Sequence, residues 1–341
     1  MLDIKLIRKD AEAVKKALRD RNQDAGIVDK LTELDAKWRQ DKAEAEALRA
    51  ERNKLGLAIS EAKKQGKDAS GFVRKSGEVS ARAKELGEEV ERLEKELDEM
   101  MLQVPNIPDK SVKIGKDESG NQEVRKWGEP GKVKGLAHDE IGLRTGLLDF
   151  ERGSKLGGHR FTVMYGKMAK LERALGAFML NAHAARGYME VWVPHLVKSE
   201  IMQGTGQLPK FKEDLYKTDD DLWLIPTAEV PLTNLHAGEV LELADLPKRY
   251  MALTPCYRKE AGAYGKDIKG MIRQHQFDKV ELVKVCEQEK SFHELELMVK
   301  DAENVLQMLG IPYRVIELCT GDLGFASAKT YDLEVWMPSQ K

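Results

Sequence analysis

The chain has 341 residues, of which 33% are charged, with a mean hydropathy of −0.51 and a net charge of −2. That length exceeds what one hydrophobic core ordinarily organises, so two domains are expected, and the wet composition points to an exposed helical element. Lys+Arg (56) nearly balances Asp+Glu (58), which excludes a globally basic nucleic-acid binder and leaves only local patches for a polyanion.

In chain order, residues 1–20 mix Asp3, Lys5, Arg8, Lys9 and Asp10 among apolar positions, so no signal peptide is read there. Residues 30–62 then keep a heptad rhythm through Leu31, Leu34, Trp38, Ala45, Leu48, Leu55, Ile59 and Ala62, with Asp41 and Arg52 interrupting the seam. A second seam runs through Val79, Ala83, Leu86, Val90, Leu93, Leu97 and Met101. Between them Gln65-Gly66-Lys67-Asp68-Ala69-Ser70-Gly71 is rich in turn formers. Two long helices joined by a short loop predict an antiparallel hairpin reaching about 50 Å, too long to bury itself in a globule. Residues 61–85 hold seven basic residues (Lys63, Lys64, Lys67, Arg74, Lys75, Arg82, Lys84) against four acidic ones. Residues 86–101 hold seven acidic against two basic. A basic tip on an acidic stem would send a polyanion to the tip; a solvated coiled-coil surface without a partner explains the same charges.

The helical signal ends at Val104-Pro105-Asn106-Ile107-Pro108, and residues 105–135, rich in Gly, Pro and Lys, read as a linker or irregular connection. Beyond it the periods mix. Residues 166–186 are an amphipathic helix, followed by a turn at Gly187 and an apolar run from Met189 to Val193. Residues 250–258 and 276–285 read as strands, 287–309 as a helix, and Tyr313–Leu318 as a strand. This order predicts an α+β domain with antiparallel strands over 136–341. Cys256, Cys286 and Cys319 are far apart with no CxxC pair, which argues against a structural zinc and for three buried thiols in a reducing compartment. No stretch of about 18 apolar residues occurs, so the reading is of a soluble, cytoplasmic protein without a membrane partner.

The chemistry concentrates in a strand–loop–strand unit. Thr254-Pro255-Cys256-Tyr257-Arg258-Lys259-Glu260 leads into a glycine-rich, basic loop at 261–270, and Ile272 to Leu282 returns. Alternation places Phe277, Lys279 and Glu281 on one sheet face, near Arg258. An aromatic ring, a guanidinium and a carboxylate on one face suit a nucleotide site; an ordinary hairpin with surface ion pairs would carry the same residues.

Tyr257-Arg258-Lys259-Glu260 with Arg273-Gln274-His275-Gln276-Phe277 resembles motif 2 of class II aminoacyl-tRNA synthetases in its seryl version. Gly187-Tyr188-Met189-Glu190-Val191-Trp192-Val193-Pro194 resembles motif 1, the dimer element of that class. Gly204 to Pro209, Ile225 to Pro231, Leu318 to Asp322 and Lys329 to Asp332 are similar to further seryl-family segments, and the resemblance spans the whole chain. It implies a coiled-coil arm at 1–104 that binds tRNA, a connection at 105–135, and a partial class II catalytic domain at 136–341. By position, Arg258 and Glu260 would be catalytic. Arg258, Lys259, Glu260 and Phe277 would bind ATP, with Phe277 on the adenine. Thr227, Ala228, Glu229 and Glu281 would bind L-serine. Lys63, Lys64, Lys67, Arg74 and Lys75 would face the tRNA. Tyr257, where the family often has Phe, and Asp278, where it often has Asn, depart from the pattern without touching these roles.

The implied function is ATP-dependent activation of L-serine and transfer to tRNA(Ser), with Mg²⁺ as the ion of ATP, tRNA(Sec) an open second partner, and a homodimer through motif 1. No metal ligands are identifiable in the chain. The family continues into motif 3 and its neighbouring strands, none of which follow Lys341. The expectation is therefore a fragment of a longer reading frame, whose own activity is in question. The alternative is a truncated paralogue that binds tRNA or a partner without ligase activity.

Overall fold

The computed structural model describes residues 2–132, 134–261 and 269–340. Two short helices, α1 (Ile4–Lys9) and α2 (Ala11–Asp20), open the chain; Asp3 and Asp10 cap them by accepting from the amides of Lys5 and Ala13, each at 2.9 Å. The arm follows as α3 (Gly26–Lys64) and α4 (Ser70–Met101). On α3 the seam residues Leu31, Ala45, Leu55 and Ala62 are buried; on α4 Val79, Ala83, Leu86, Leu93, Leu97 and Met101 are. Leu34, Trp38, Leu48, Ile59 and Val90 are only half-buried, because two helices alone cannot enclose every seam position. At the base of the hairpin Val14, Leu18, Val28, Leu31, Leu97 and Val104 close a small core. Asp35 is buried there and accepts from Arg8 Nη2 at 2.6 Å and Arg39 Nε at 2.9 Å, which ties α1 to α3.

Residues 105–135 are irregular over most of their length, yet they are more than a connection. They contain β1 (Gln122–Trp127), which pairs antiparallel with a strand almost two hundred residues away, β9 (Tyr313–Glu317). Ile107 packs on the base of the arm, so the arm's core also extends past residue 104. In order after β1 come α5 (His138–Thr145), β2 (Leu148–Asp149), α6 (Phe150–Gly157), β3 (Val163–Met164) and α7 (Gly166–Ala184). Then follow β4 (Met189–Glu190), β5 (Leu196–Val197), α8 (Ser199–Gly204), β6 (Trp223–Leu224), α9 (Glu229–Thr233), β7 (Lys248–Tyr257), β8 (Gln276–Val285) and α10 (Ser291–Met308). After β9, the last strand is β10 (Tyr331–Val335).

Two three-stranded sheets organise this domain: β1-β9-β10 and β4-β7-β8. The second is not purely antiparallel, since β4 runs parallel to β7. The apolar run from Met189 also forms only a two-residue strand: Val193 is buried, while Met189 and Trp192 are 64% and 84% exposed. α7 lies across β7 closely enough that a Cβ at Gly176 would meet the Leu253 side chain at 2.8 Å, so a larger residue would have to push that leucine aside. α10 covers the other sheet through Val299, Leu295 and Leu306 on Tyr313 and Val315.

Polar groups seal the joints. Arg125 of β1 donates to Glu303 of α10 at 3.0 and 2.5 Å. Asp301 accepts from Arg186 at 2.5 Å and Tyr188 at 2.7 Å, fastening the α7–β4 turn to α10. Arg21, buried just after α2, crosses to the domain that follows the arm. Its guanidinium donates to the carbonyls of Asn106 (3.0 Å), Leu323 (3.0 Å), Gly324 (2.7 Å) and Ser327 (2.9 Å).

Candidate active site

The β7–β8 register sets the site. Phe277, Lys279 and Glu281 stand opposite Cys256, Thr254 and Ala252, which share their sheet face and are buried. Cys256 and Cys319 are buried as expected, but Cys286, just past β8, is half-buried. Arg258 follows β7 directly; its amide donates to the His275 carbonyl at 3.0 Å, which continues the ladder one step beyond the strand. Its guanidinium lies 5.2 Å from the centre of the Phe277 ring, and its Nε donates to the Pro226 carbonyl at 3.3 Å.

A second wall comes from the segment leading into α9. Tyr257 donates from its amide to the Ile225 carbonyl at 2.9 Å, which brings residues 225–229 beside β7. Thr227 is buried, and its hydroxyl donates to Glu281 Oε2. Lys279 Nζ donates to the same hydroxyl at 2.8 Å and pairs with Glu281 Oε2 at 2.5 Å. Solvent reaches the Glu229 side chain. The protein mass around it, then the Glu281 charge, still raise its pKa against the opposing pull of Lys279 and Arg258. Thr227, Lys279 and Glu281 are thus joined by hydrogen bonds, and the charges of Glu281, Lys279 and Arg258 all act on Glu229.

The other residues expected there are placed differently. Ala228 is wholly buried in the core with Val193, Leu232, Ala252 and Val283, so its side chain cannot reach a ligand. Lys259 is exposed and sends its ammonium over the Tyr216 ring at 5.6 Å. Glu260 has left-handed backbone (φ 51°), and its carboxylate accepts from Arg273 at 3.1 Å. Residues 262–268 of the glycine-rich loop lie outside the described residues. The ends of that loop are fixed: Ala261 donates to Asp214 Oδ1 at 2.8 Å, and Met271 donates to His138 Nε2 at 2.8 Å. Gly270, at φ 69°, presses so close to His138 that a Cβ would sit 2.0 Å from Nε2. His275 is structural, with Nδ1 at 2.9 Å from the Arg258 carbonyl and its ring near Phe161 and Tyr216.

Sequence reasoning missed Asp214, His138 and Arg160, which donates to the Glu260 carbonyl at 3.2 Å, because each acts on backbone far from it in sequence. It found Lys279 on the right face but gave it no role. Among the described residues no group of three or more His, Cys, Asp or Glu is placed to hold a metal ion.

At the far end of the arm, Lys63 and Lys64 close α3, Lys67 sits in the turn, and Arg74 and Lys75 lie near the start of α4, all exposed. Lys75 pairs with Glu51 at 2.7 Å and Arg74 with Glu78 at 4.0 Å.

An antiparallel strand pair that presents an arginine and an aromatic ring beside two carboxylates fits the core of a class II aminoacyl-tRNA synthetase. Residues 210–341 match the family model "tRNA synthetase class II core domain (G, H, P, S and T)". Residues 1–108 match "Seryl-tRNA synthetase N-terminal domain". The serine–tRNA ligase of Thermotoga neapolitana is 57% identical over 99% of this chain and 81% of its own length; that of Thermotoga maritima is 55% identical over the same shares. The seryl-tRNA synthetase of Pyrococcus horikoshii, solved with ATP, superposes with a TM-score of 0.92 at 39% identity, covering 100% of this chain and 82% of that one. The cytoplasmic serine–tRNA ligase of Naegleria fowleri, solved with AMP, gives 0.87 at 29%, covering 100% and 83%. The chain belongs to the seryl-tRNA synthetase family.

Proposed function

We propose that the cavity between β7, β8 and α9 binds L-serine and ATP and joins them as seryl-adenylate, which the arm-bound tRNA(Ser) then discharges. The observation that carries this reading is the convergence of one guanidinium (Arg258) with two carboxylates (Glu229, Glu281) and a buried hydroxyl (Thr227) above one sheet. A zwitterionic amino acid needs that set: carboxylates for its ammonium, and a cation for its carboxylate and for the phosphate it attacks.

In the first step a serine carboxylate oxygen attacks the α-phosphorus of ATP in line. The new O–P bond forms as the bond to pyrophosphate breaks. Arg258 neutralises the α-phosphate, and Phe277 offers a face to the adenine. Glu260, just after Arg258, would complete the nucleotide side of the site. In the second step the terminal ribose hydroxyl of the tRNA attacks the activated carbonyl and AMP leaves. The protein contributes position and charge rather than a nucleophile. Mg²⁺ bound to the ATP phosphates would supply further neutralisation of their charge. The relatives solved with ATP and AMP support the nucleotide half of this reading.

Serine differs from alanine by one hydroxyl. A pocket built to hydrogen-bond that group leaves buried polar atoms unpaired when alanine enters, which discriminates by about 10⁴ or more. The arm, taken as residues 1–104, would hold tRNA(Ser) by shape and backbone contacts through Lys63, Lys64, Lys67, Arg74 and Lys75. Whether tRNA(Sec) is also charged is decided by the same contacts. Dimerisation through the motif 1 segment is supported by the exposed Met189 and Trp192, and a cytoplasmic location by the activity; among the described residues no helix is long and apolar enough to cross a membrane. ATP–pyrophosphate exchange tests the whole reading: label should enter ATP with serine and not with alanine or threonine. Exchange that ignores the amino acid supplied would refute it.

A further inference from the structure

The chain just past β7 loses its strand partners one residue at a time. The amide of Tyr257 donates to Ile225, and that of Arg258 to His275. There the ladder stops, since His275 lies one residue before β8, whose pairing with β7 ends at Gln276. Two of the next three amides are taken by one residue. The Lys259 amide donates to the Asp214 carbonyl at 2.8 Å, and the Ala261 amide to the Asp214 carboxylate at 2.8 Å. Between them Glu260 is held in the left-handed region at φ 51°, a conformation an ordinary side chain adopts only when its neighbours impose it.

Asp214 is itself anchored. Its amide donates to the Phe211 carbonyl at 2.9 Å, and the following residue, Leu215, is 1% exposed in the core formed with Met202, Leu208 and Trp223. That post stands on a different segment from every residue of the serine pocket. From the other side Arg160 donates to the Glu260 carbonyl at 3.2 Å.

We propose that Asp214 is the positioning residue of the turn at 259–261, and so sets where Glu260 meets the phosphates of ATP. This rests on the reading of the cavity as the adenylation site. It predicts an effect on nucleotide rather than on serine, because Thr227, Glu229 and Glu281 make no contact through Asp214.

The test compares the full chain with Asp214→Ala and Asp214→Asn. Asparagine keeps an acceptor oxygen at the same place; alanine removes it. Losing one hydrogen bond from an amide to a carboxylate should weaken ATP binding about fivefold to tenfold. For Asp214→Ala the account predicts that loss in the calorimetric Kd for ATP and in the KM for ATP, with the KM for serine unchanged within about twofold. The Ala261 amide should also lose its protection from hydrogen exchange in the nucleotide-free protein. Asp214→Asn should restore most of both. The proposal is overturned if Asp214→Ala binds ATP as the parent does, if serine and ATP constants worsen together with a lowered Tm, or if the Ala261 amide stays protected. Parent protein that does not bind ATP, with Ala261 protected in the parent and unprotected in Asp214→Ala, would instead overturn the adenylation reading, and the role in ATP binding with it.

Discussion

Glu229 and Glu281 lie near enough for the charge of one to raise the pKa of the other, and Lys279 and Arg258 stand against that repulsion. Ionised Glu229 is therefore a cost to the empty protein and an asset to a bound ammonium. Its folded pKa is raised, so the folded state holds the proton more tightly than the unfolded chain; stability falls as pH rises from the ordinary carboxylate range through the raised value. Serine affinity should rise across the same window as Glu229 ionises. Replacing it by glutamine should remove that pH dependence and raise Tm slightly at neutral pH, while serine binds more weakly; a serine KM profile identical to the parent's would contradict this. The pocket was partly legible in the sequence. Alternation alone put Phe277, Lys279 and Glu281 on one face, because a ten-residue strand has an unambiguous period. Thr227 and Glu229 came only from the resemblance, since nothing in the residues 224–230 says which strand they lie beside. Asp214 carried no signal: it recognises backbone amides 47 residues away, and any loop aspartate looks the same.

At the scale of elements, the two seams of the arm and the β7–β8 hairpin were readable from period. β1 was not: it is exposed on nearly every residue, and with no buried face there is no alternation to find. It is held by pairing with β9 and by Arg125 on Glu303. Burial alone would raise the Glu303 pKa, but the hydrogen bonds from Arg125 and Tyr313 outweigh it and hold it below the usual value. Asp301 behaves likewise under Tyr188 and Arg186. Both carboxylates have depressed folded pKa values, so their contribution is present above the ordinary carboxylate range and is lost as pH falls through the folded values. Arg125→Ala should cost about 2 kcal/mol at pH 7, less than a fully buried pair because Arg125 is itself a third exposed. The loss should shrink in acid; urea melts at pH 7 and pH 3 that differ equally between parent and variant would speak against the pair. For the arm, removing residues 61–76 should weaken tRNA binding at a stated salt concentration without changing adenylate formation, because the tip lies at the far end of α3 and α4 from the cavity.

Across the whole molecule, one buried arginine holds the arm's base to the catalytic domain. Burial lowers the Arg21 pKa, yet carbonyls of residues 106, 323, 324 and 327 surround its guanidinium and justify its place. Arg21→Ala should leave pyrophosphate exchange intact and reduce aminoacylation, because the arm would no longer present tRNA at a fixed angle to the cavity. Small-angle scattering that shows no broadening of the arm's orientation, with aminoacylation unchanged, would deny that role. No sequence pattern announces such a clamp, since its acceptors are main-chain oxygens.

The convergence of Arg258, Glu229 and Glu281 is most directly tested by calorimetry with a non-hydrolysable seryl-adenylate analogue. The parent chain should bind it far more tightly than serine or ATP alone, while Arg258→Ala and Glu281→Ala should each lose about a hundredfold or more, as expected when a desolvated charged contact is removed. Equal affinity in parent and variants, or equal affinity for the alanyl analogue, would contradict the account.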